Sequence, residues 1–290
     1  MKNLQVGSKL ITENGDFFIA EIGINHNGDV TKALELIEKA SISGAHAVKF
    51  QKRTINKVYT PDELSTPRES VFGNTNGDLK RGLEFGFEEY RRIANRCEKL
   101  GIEWFASAWD LESVDFLESL GVVAHKIASP LLTNVKLLER LKQTKKPLIV
   151  STGMSTINQI DSALSLLKDS ELVLLHCVST YPAKEEELNL SVIKGLRDRY
   201  NCLVGYSGHE KGIIPSVIAS VMYGACVIER HLTLDRSDWG SDQSASLEPQ
   251  GFSRMVKYIG ESKRSLGDGQ KRLLESEVLV KAKLRKVEDF

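Results

Sequence analysis

From residue 84 onward one pattern repeats: a short apolar, β-branched run, then a segment whose apolar residues recur at helical spacing. With two earlier runs included, the strand-like stretches are 17–22, 45–50, 102–107, 122–127, 147–150, 172–177, 202–205 and 225–228. The periodic stretches 32–43, 88–100, 111–120, 135–142, 157–167, 190–199, 213–223 and 252–266 predict helices. Strands that are apolar on both faces and alternate with helices lie parallel and are joined by right-handed crossovers. Eight such units close into a (β/α)8 TIM barrel. A chain of 290 residues suits that solution, because one barrel commonly occupies about 250.

The remaining segments flank or interrupt the barrel, which is assigned to residues 17–266. Residues 1–16 predict a short N-terminal β-hairpin, since runs 4–11 and 16–19 flank the turn signal Glu13-Asn14-Gly15-Asp16; its expected use is as a lid on one end of the barrel. Residues 267–290 form a charged C-terminal tail. Residues 52–82, containing TPRES and FGNTNGD, are too long for a plain connection and predict an irregular substrate loop. Arg53 before it, and Arg68, Lys80 and Arg81 on it, are candidates for reading a hydroxylated or anionic ligand.

Composition removes several function classes. Lys plus Arg and Asp plus Glu both number 39, so no net field draws the protein to nucleic acid or to an acidic membrane. No apolar run reaches the roughly 18 residues of a membrane span, and MKNLQVGSKL lacks a signal-peptide core, which predicts a cytoplasmic protein. Cys97, Cys177, Cys202 and Cys226 have no CxxC spacing and read as reduced core residues, although Cys177 follows His176 at a strand end, where a catalytic thiol can sit.

Chemistry in a TIM barrel belongs to the C-terminal strand ends. Lys49 and Lys126 are charges inside apolar runs, where lysine is tolerated only if paired or binding an anion. His209, in GYSGHE, and His231, in ACVIERHLTLDRSDWGSD, leave consecutive strands on the same side. One histidine at a strand end is ordinarily solvated or bonded to a carbonyl, but two in register can share a divalent ion, with Asp242 and water completing the shell. Glu21, Gln51, Ser129, Ser151, Ser179, Tyr181 and Ser207 fall at the same face. Such convergence argues for an enzyme with a small anionic substrate, because every one of these groups is costly to bury unpaired. Two lysines with serine hydroxyls suit a compact molecule carrying phosphate and carboxylate, and the histidines suit a metal that polarises a carbonyl.

The stretches FFIAEIGINHNGD, GAHAVKFQ, HKIAS, PLIVSTGMS, LLHCVSTYP, VGYSGHE and VIERHLTLDR, followed by SDQSASLEP, occur in that order over roughly residues 15–275. There the chain resembles the sialic acid synthase family, phosphoenolpyruvate-dependent synthases of nonulosonic and related 3-deoxy-ulosonic acids. The resemblance implies that Lys49, Lys126, Ser129, Ser151, Ser179 and Ser207 hold phosphoenolpyruvate. It implies that His209 and His231 bind Mn²⁺, or Mg²⁺ or Co²⁺ in its place, and that Glu21, Gln51, Tyr181 and Asp242 form the catalytic lining of the sugar site. The implied reaction condenses phosphoenolpyruvate with a sugar aldehyde, with C–O cleavage, to a 2-keto-3-deoxy acid and phosphate. A homo-oligomer is expected.

The departures concern the acceptor. Leu131, after Pro130, stands where the family has glutamate two residues beyond the serine of HKIAS; Ser179 stands for asparagine, and Gly208 for aspartate. The resemblance therefore implies the same reaction on a different sugar, an aldose or N-acetylhexosamine type. The alternatives are a phosphorylated acceptor (arabinose 5-phosphate or N-acetylmannosamine 6-phosphate) and a catalytically idle phosphoenolpyruvate-binding barrel. Typical members carry a C-terminal antifreeze-like domain; for this sequence the expectation is a short form, in which Lys271, Arg272 or the loop arginines Arg53, Arg68 and Arg81 read the sugar.

Overall fold

The computed structural model describes residues 2–288. Met1, Asp289 and Phe290, at the extremities of the expected hairpin and tail, lie outside the described residues.

The chain opens with an antiparallel hairpin of β1 (Asn3–Val6) and β2 (Lys9–Thr12). The strand expected over 4–11 is thus two strands, and the hairpin turn lies at Gly7-Ser8 and not at Asn14-Gly15. Gly7 takes φ +57, open to glycine without strain, and Ser8 donates from both N–H and Oγ to Glu103 Oε1 at 2.6 and 2.7 Å. The Asn14-Gly15 bend instead leads into the barrel. Leu4, Val6 and Ile11 are buried against Phe17, Ala47, Leu203 and Val227, each the first residue of a barrel strand, so the hairpin closes the N-terminal end.

β3 (Phe17–Gly23) runs into α1 (Val30–Ile42), whose first turn is capped by Asp29 accepting from Thr31 N–H at 2.7 Å. After β4 (Ala47–Lys52) the stretch expected to be irregular is built of short elements: α2 (Ile55–Val58), α3 (Pro61–Ser65), β5 (Pro67–Ser70), β6 (Gly73–Thr75) and α4 (Asn76–Gly82). Thr60 with Glu63, and Thr75 with Asp78, form capping boxes that start α3 and α4.

Regular alternation follows. α5 (Phe87–Leu100), β7 (Glu103–Ala108), α6 (Leu111–Ser119) and β8 (His125–Ile127) lead to α7 (Val135–Gln143), β9 (Leu148–Ser151), α8 (Ile157–Leu166) and β10 (Leu172–Cys177). α9 (Val192–Tyr200), β11 (Leu203–Gly208), α10 (Ile214–Val221), β12 (Val227–His231) and α11 (Pro249–Leu266) complete it. The eight parallel strands β3, β4, β7, β8, β9, β10, β11 and β12 form a closed barrel, as expected for a TIM barrel. Beyond it the tail contains a helix, α12 (Glu275–Leu284), with no buried residue. No helix among the described residues is long and apolar enough to cross a membrane.

Candidate active site

A cavity of about 360 Å³ opens among the C-terminal ends of the barrel strands. Glu21, Lys49, Gln51, Lys126, Ser129, Ser151, Ser179, Tyr181, Ser207, His209, His231, Asp242 and Arg53 all line it. Arg68 lines a second, adjoining cavity, and Arg81 lines neither, its guanidinium lying beside Gly77.

The floor is a buried quartet of charges. Lys49, 4 % exposed, ion-pairs with Glu21 and reaches Ser107 Oγ at 3.3 Å. Lys126, 3 % exposed, donates to Ser151 Oγ at 2.6 Å and lies 3.7 Å from Glu229 Oε1, which also accepts from Ser207 Oγ at 3.0 Å. Burial, reinforced by Glu229 and opposed by Lys49, pushes the Glu21 carboxyl up to about 7. Burial also acts to raise Glu229, but Lys126 and Lys49, with the Ser207 hydroxyl and His231, hold that carboxyl below its ordinary range. Lys126 is depressed by burial, with Glu229 opposing. Taking such ions out of water costs several kcal/mol each and leaves little net stabilisation, so a quartet facing a cavity marks function.

Above the floor, Gly153 lets three groups converge. A Cβ there would lie 2.3 Å from Ser179 Oγ, 2.6 Å from Cys177 Sγ and 2.8 Å from Ser129 Oγ. Ser129 Oγ accepts from Gly153 N–H at 3.1 Å and sits 3.0 Å from Cys177 Sγ.

The two histidines face each other across the mouth, ring centroids 5.5 Å apart. His209 Nδ1 lies 2.6 Å from Val178 O, so that nitrogen carries the proton it donates and Nε2 keeps its lone pair. His231 Nδ1 has no hydrogen-bond partner, with Asp242 Oδ2 3.8 Å away. Burial lowers both imidazoles to about 4, so both are neutral at pH 7, the state in which a ring nitrogen ligates a cation. Among the described residues no group of three or more His, Cys, Asp or Glu side chains converges as a ready-made cage. The other four histidines are engaged elsewhere: His26 and His46 accept from Gly28 N–H and Phe18 N–H, while His125 contacts Glu118 and His176 contacts Leu188 O.

Gly208 has a steric reason. A Cβ at that position would lie 2.7 Å from Glu210 Oε2 and 2.9 Å from Arg230 Cδ, atoms of a fully buried ion pair, so any side chain there must shift that pair.

Glu229, Tyr59, Lys80 and Trp109 also line the cavity. Glu229 carries the signal that exposes Lys49 and Lys126, a charge within an apolar strand, and was legible on that ground. Trp109 and Tyr59 carry none: they arrive from separate loops, Trp109 as the face on which the Arg53 guanidinium rests at 4.1 Å.

Known proteins match the chain in sequence and in fold. A family model described as the NeuB family matches residues 36–271. The N,N'-diacetyllegionaminic acid synthase of Legionella pneumophila is 38% identical over 281 residues, covering 93% of this chain and 78% of that protein. The human N-acetylneuraminate-9-phosphate synthase is 38% identical over 275 residues, covering 93% and 76%. Among solved structures, the N-acetylneuraminic acid synthetase of Leptospira borgpetersenii, in complex with citrate, superposes with a TM-score of 0.84 at 32% identity, covering 99% of this chain and 98% of that one.

Proposed function

Because the chain belongs to the NeuB family and is an enzyme of the condensing kind, we propose that it joins phosphoenolpyruvate to an open-chain sugar, giving a 2-keto-3-deoxy sugar acid and phosphate. The observation that carries this reading is the floor of the cavity, where Lys49 and Lys126 are buried beside serine hydroxyls. Such a floor matches a molecule with one phosphate and one carboxylate on three carbons.

In this reading Lys49, Lys126 and the hydroxyls of Ser129, Ser151, Ser179 and Ser207 hold phosphoenolpyruvate. Its C3 attacks the sugar aldehyde carbon and forms the new C–C bond. Water adds to C2, the bond from C2 to the phosphate oxygen breaks, and phosphate leaves with that oxygen. Glu21 and Glu229, beside these lysines on the cavity floor, are the carboxylates that would stabilise positive charge developing at C2. Gln51, Tyr181 and Asp242 position the sugar. The neutral, carbonyl-anchored His209 and His231, whose Nδ1 is unpartnered, would hold a divalent ion such as Mn²⁺. When bound, that ion would polarise the aldehyde oxygen.

The test is phosphate release from phosphoenolpyruvate with Mn²⁺ present, across a panel of aldoses, N-acetylhexosamines and their charged derivatives. Release tied to a 2-keto-3-deoxy acid is the expected result, and Lys126→Met should abolish phosphoenolpyruvate binding. If phosphoenolpyruvate does not bind the unaltered protein, the reading is wrong.

A further inference from the structure

The loop that leaves β12 walls the main cavity beside His231, and a buried polar network lies beneath it. Its ends are tied together: Leu247 N–H donates to His231 O at 2.8 Å, and Thr233 N–H to Leu247 O at 2.9 Å. Between them the backbone is mostly irregular, with a 3-10 turn at Gln243–Ala245. Ser241 and Asp242 line the main cavity, and Trp239, Gly240 and Ser241 line the adjoining one.

Asn25, Thr233, Gln243 and Ser246 are at most 1% exposed and stand outside the lining of both cavities. Asn25 comes from the turn between β3 and α1. Its Nδ2 donates to Leu232 O at 2.9 Å and to Ser246 Oγ at 2.8 Å, and that hydroxyl donates to Asp242 O at 2.7 Å. Gln243 Nε2 faces Asn27 Oδ1 at 3.3 Å and the carbonyls of Asn25 and Trp239 at 3.4 Å, while its Oε1 meets the Thr233 hydroxyl. Buried amides and hydroxyls are costly unless paired, and a paired network admits one arrangement where apolar side chains would admit several. The loop atoms gripped here are the backbone oxygens of Trp239 and Asp242, both on cavity walls. With its backbone fixed, Asp242 holds Oδ2 3.8 Å from His231 Nδ1, and Ser241 Oγ donates to its Oδ1 at 2.6 Å.

We propose that Asn25, Gln243 and Ser246 are positioning residues for the acceptor, holding Ser241 and Asp242 in the cavity wall from behind it. This rests on the condensing reading above and adds the residues that set its acceptor side. The lysines assigned to phosphoenolpyruvate stand on other strands, Lys49 on β4 and Lys126 on β8, so the two substrates report on different parts of the site.

Gln243→Met keeps the length of the side chain and removes its hydrogen bonds. Ser246→Ala is milder and removes only the hydroxyl between Asn25 and Asp242. The acceptor is the panel sugar with the highest kcat/KM on the unaltered protein. Each variant is expected to lower acceptor kcat/KM by about ten- to a hundredfold, the effect of misplacing a contact group by about 1 Å, while the calorimetric Kd of phosphoenolpyruvate stays within about twofold. Acceptor kinetics unmoved by the variants, or phosphoenolpyruvate binding weakened to the same degree, overturns the proposal. If Gln243→Met does not fold, Ser246→Ala decides alone. Should the unaltered protein turn over no sugar, the condensing reading has failed, and amide hydrogen exchange decides the network's role separately. Exchange within residues 235–246 at least about tenfold faster in Ser246→Ala, with the barrel strands unchanged, upholds it, and unchanged exchange there removes it.

Discussion

Arg230 is fully buried, and its guanidinium joins the loop carrying His209 to the strand carrying His231. Nη1 donates to Glu210 Oε1 and Gly212 O, both at 2.8 Å, and to Ser216 Oγ at 2.9 Å, while Tyr206 OH donates to Glu210 Oε2 at 2.7 Å. Removing one partner of such a pair typically costs about 3–5 kcal/mol, against about 0–1 for an exposed pair such as Lys194 and Asp198. His26 is one residue, away from the cavity, that makes stability depend on pH. It is buried, stacked on Phe85 at 4.0 Å, and accepts from Gly28 N–H at 3.1 Å through Nδ1. Burial lowers it to about 3, whereas an unfolded histidine titrates near 6.5. Between those values the unfolded chain binds a proton that the folded one refuses, so this contribution is complete above about 6.5 and is lost as pH falls toward 3. His26→Asn retains an acceptor for Gly28 N–H but cannot titrate. Urea unfolding between about pH 4 and 5.5 should show the wild-type slope reduced by about 1.4 kcal/mol per pH unit in the variant, the difference fading toward pH 7. Equal slopes would assign the acid lability to other groups.

At the scale of elements, the β5–β6 hairpin wall of the second cavity is held by one aromatic anchor. Phe72 packs on Gly82, where a Cβ would lie 2.2 Å from the ring, and meets the Trp239 ring edge at 5.9 Å. Gly82 is needed here for close approach, since its φ is not in the left-handed region. Gly82→Ala must push Phe72 outward, and that side chain, 36% exposed, has room to go. The expected outcome is a stability change of no more than about 1 kcal/mol, faster proteolysis within residues 66–75, and a raised acceptor KM with phosphoenolpyruvate KM unchanged. Unaltered proteolysis would mean that other contacts hold the hairpin.

For the whole molecule, the barrel separates stability from chemistry along its axis. The N-terminal end is sealed by the β1–β2 hairpin, whose Leu4, Val6 and Ile11 complete an apolar cluster with Phe105, Ile149 and Val173. The other end holds the charged quartet and the histidines. Ile11→Ala should cost about 2–5 kcal/mol in unfolding free energy, the range for emptying a buried aliphatic site, while leaving kcat/KM for phosphoenolpyruvate within about twofold. A comparable loss of activity would show that the two ends are coupled.

Much of this was legible in the order of residues. Eight apolar runs alternating with helical periodicity suffice for a closed parallel barrel, because strand burial on both faces and crossover handedness leave few other arrangements. Lys49, Lys126, His209 and His231 stood out for a related reason: a polar side chain at the end of an apolar strand needs a partner, and the barrel supplies one direction in which to find it. Glu229 carried the same mark. The hairpin register and the order within residues 52–82 differ from the expectation, since the turn at Gly7 and the caps at Thr60 and Thr75 compete with stronger-looking signals nearby. Beyond local pattern lie the contacts between residues far apart in the chain: Arg53 on Trp109, Lys80 over Tyr59, and Gly208 beneath the ion pair of Glu210 and Arg230. Backbone periodicity is a property of neighbours in sequence and survives being read as a string. Which charges lack a counterion depends on distances across the closed barrel, and those exist only once it has closed.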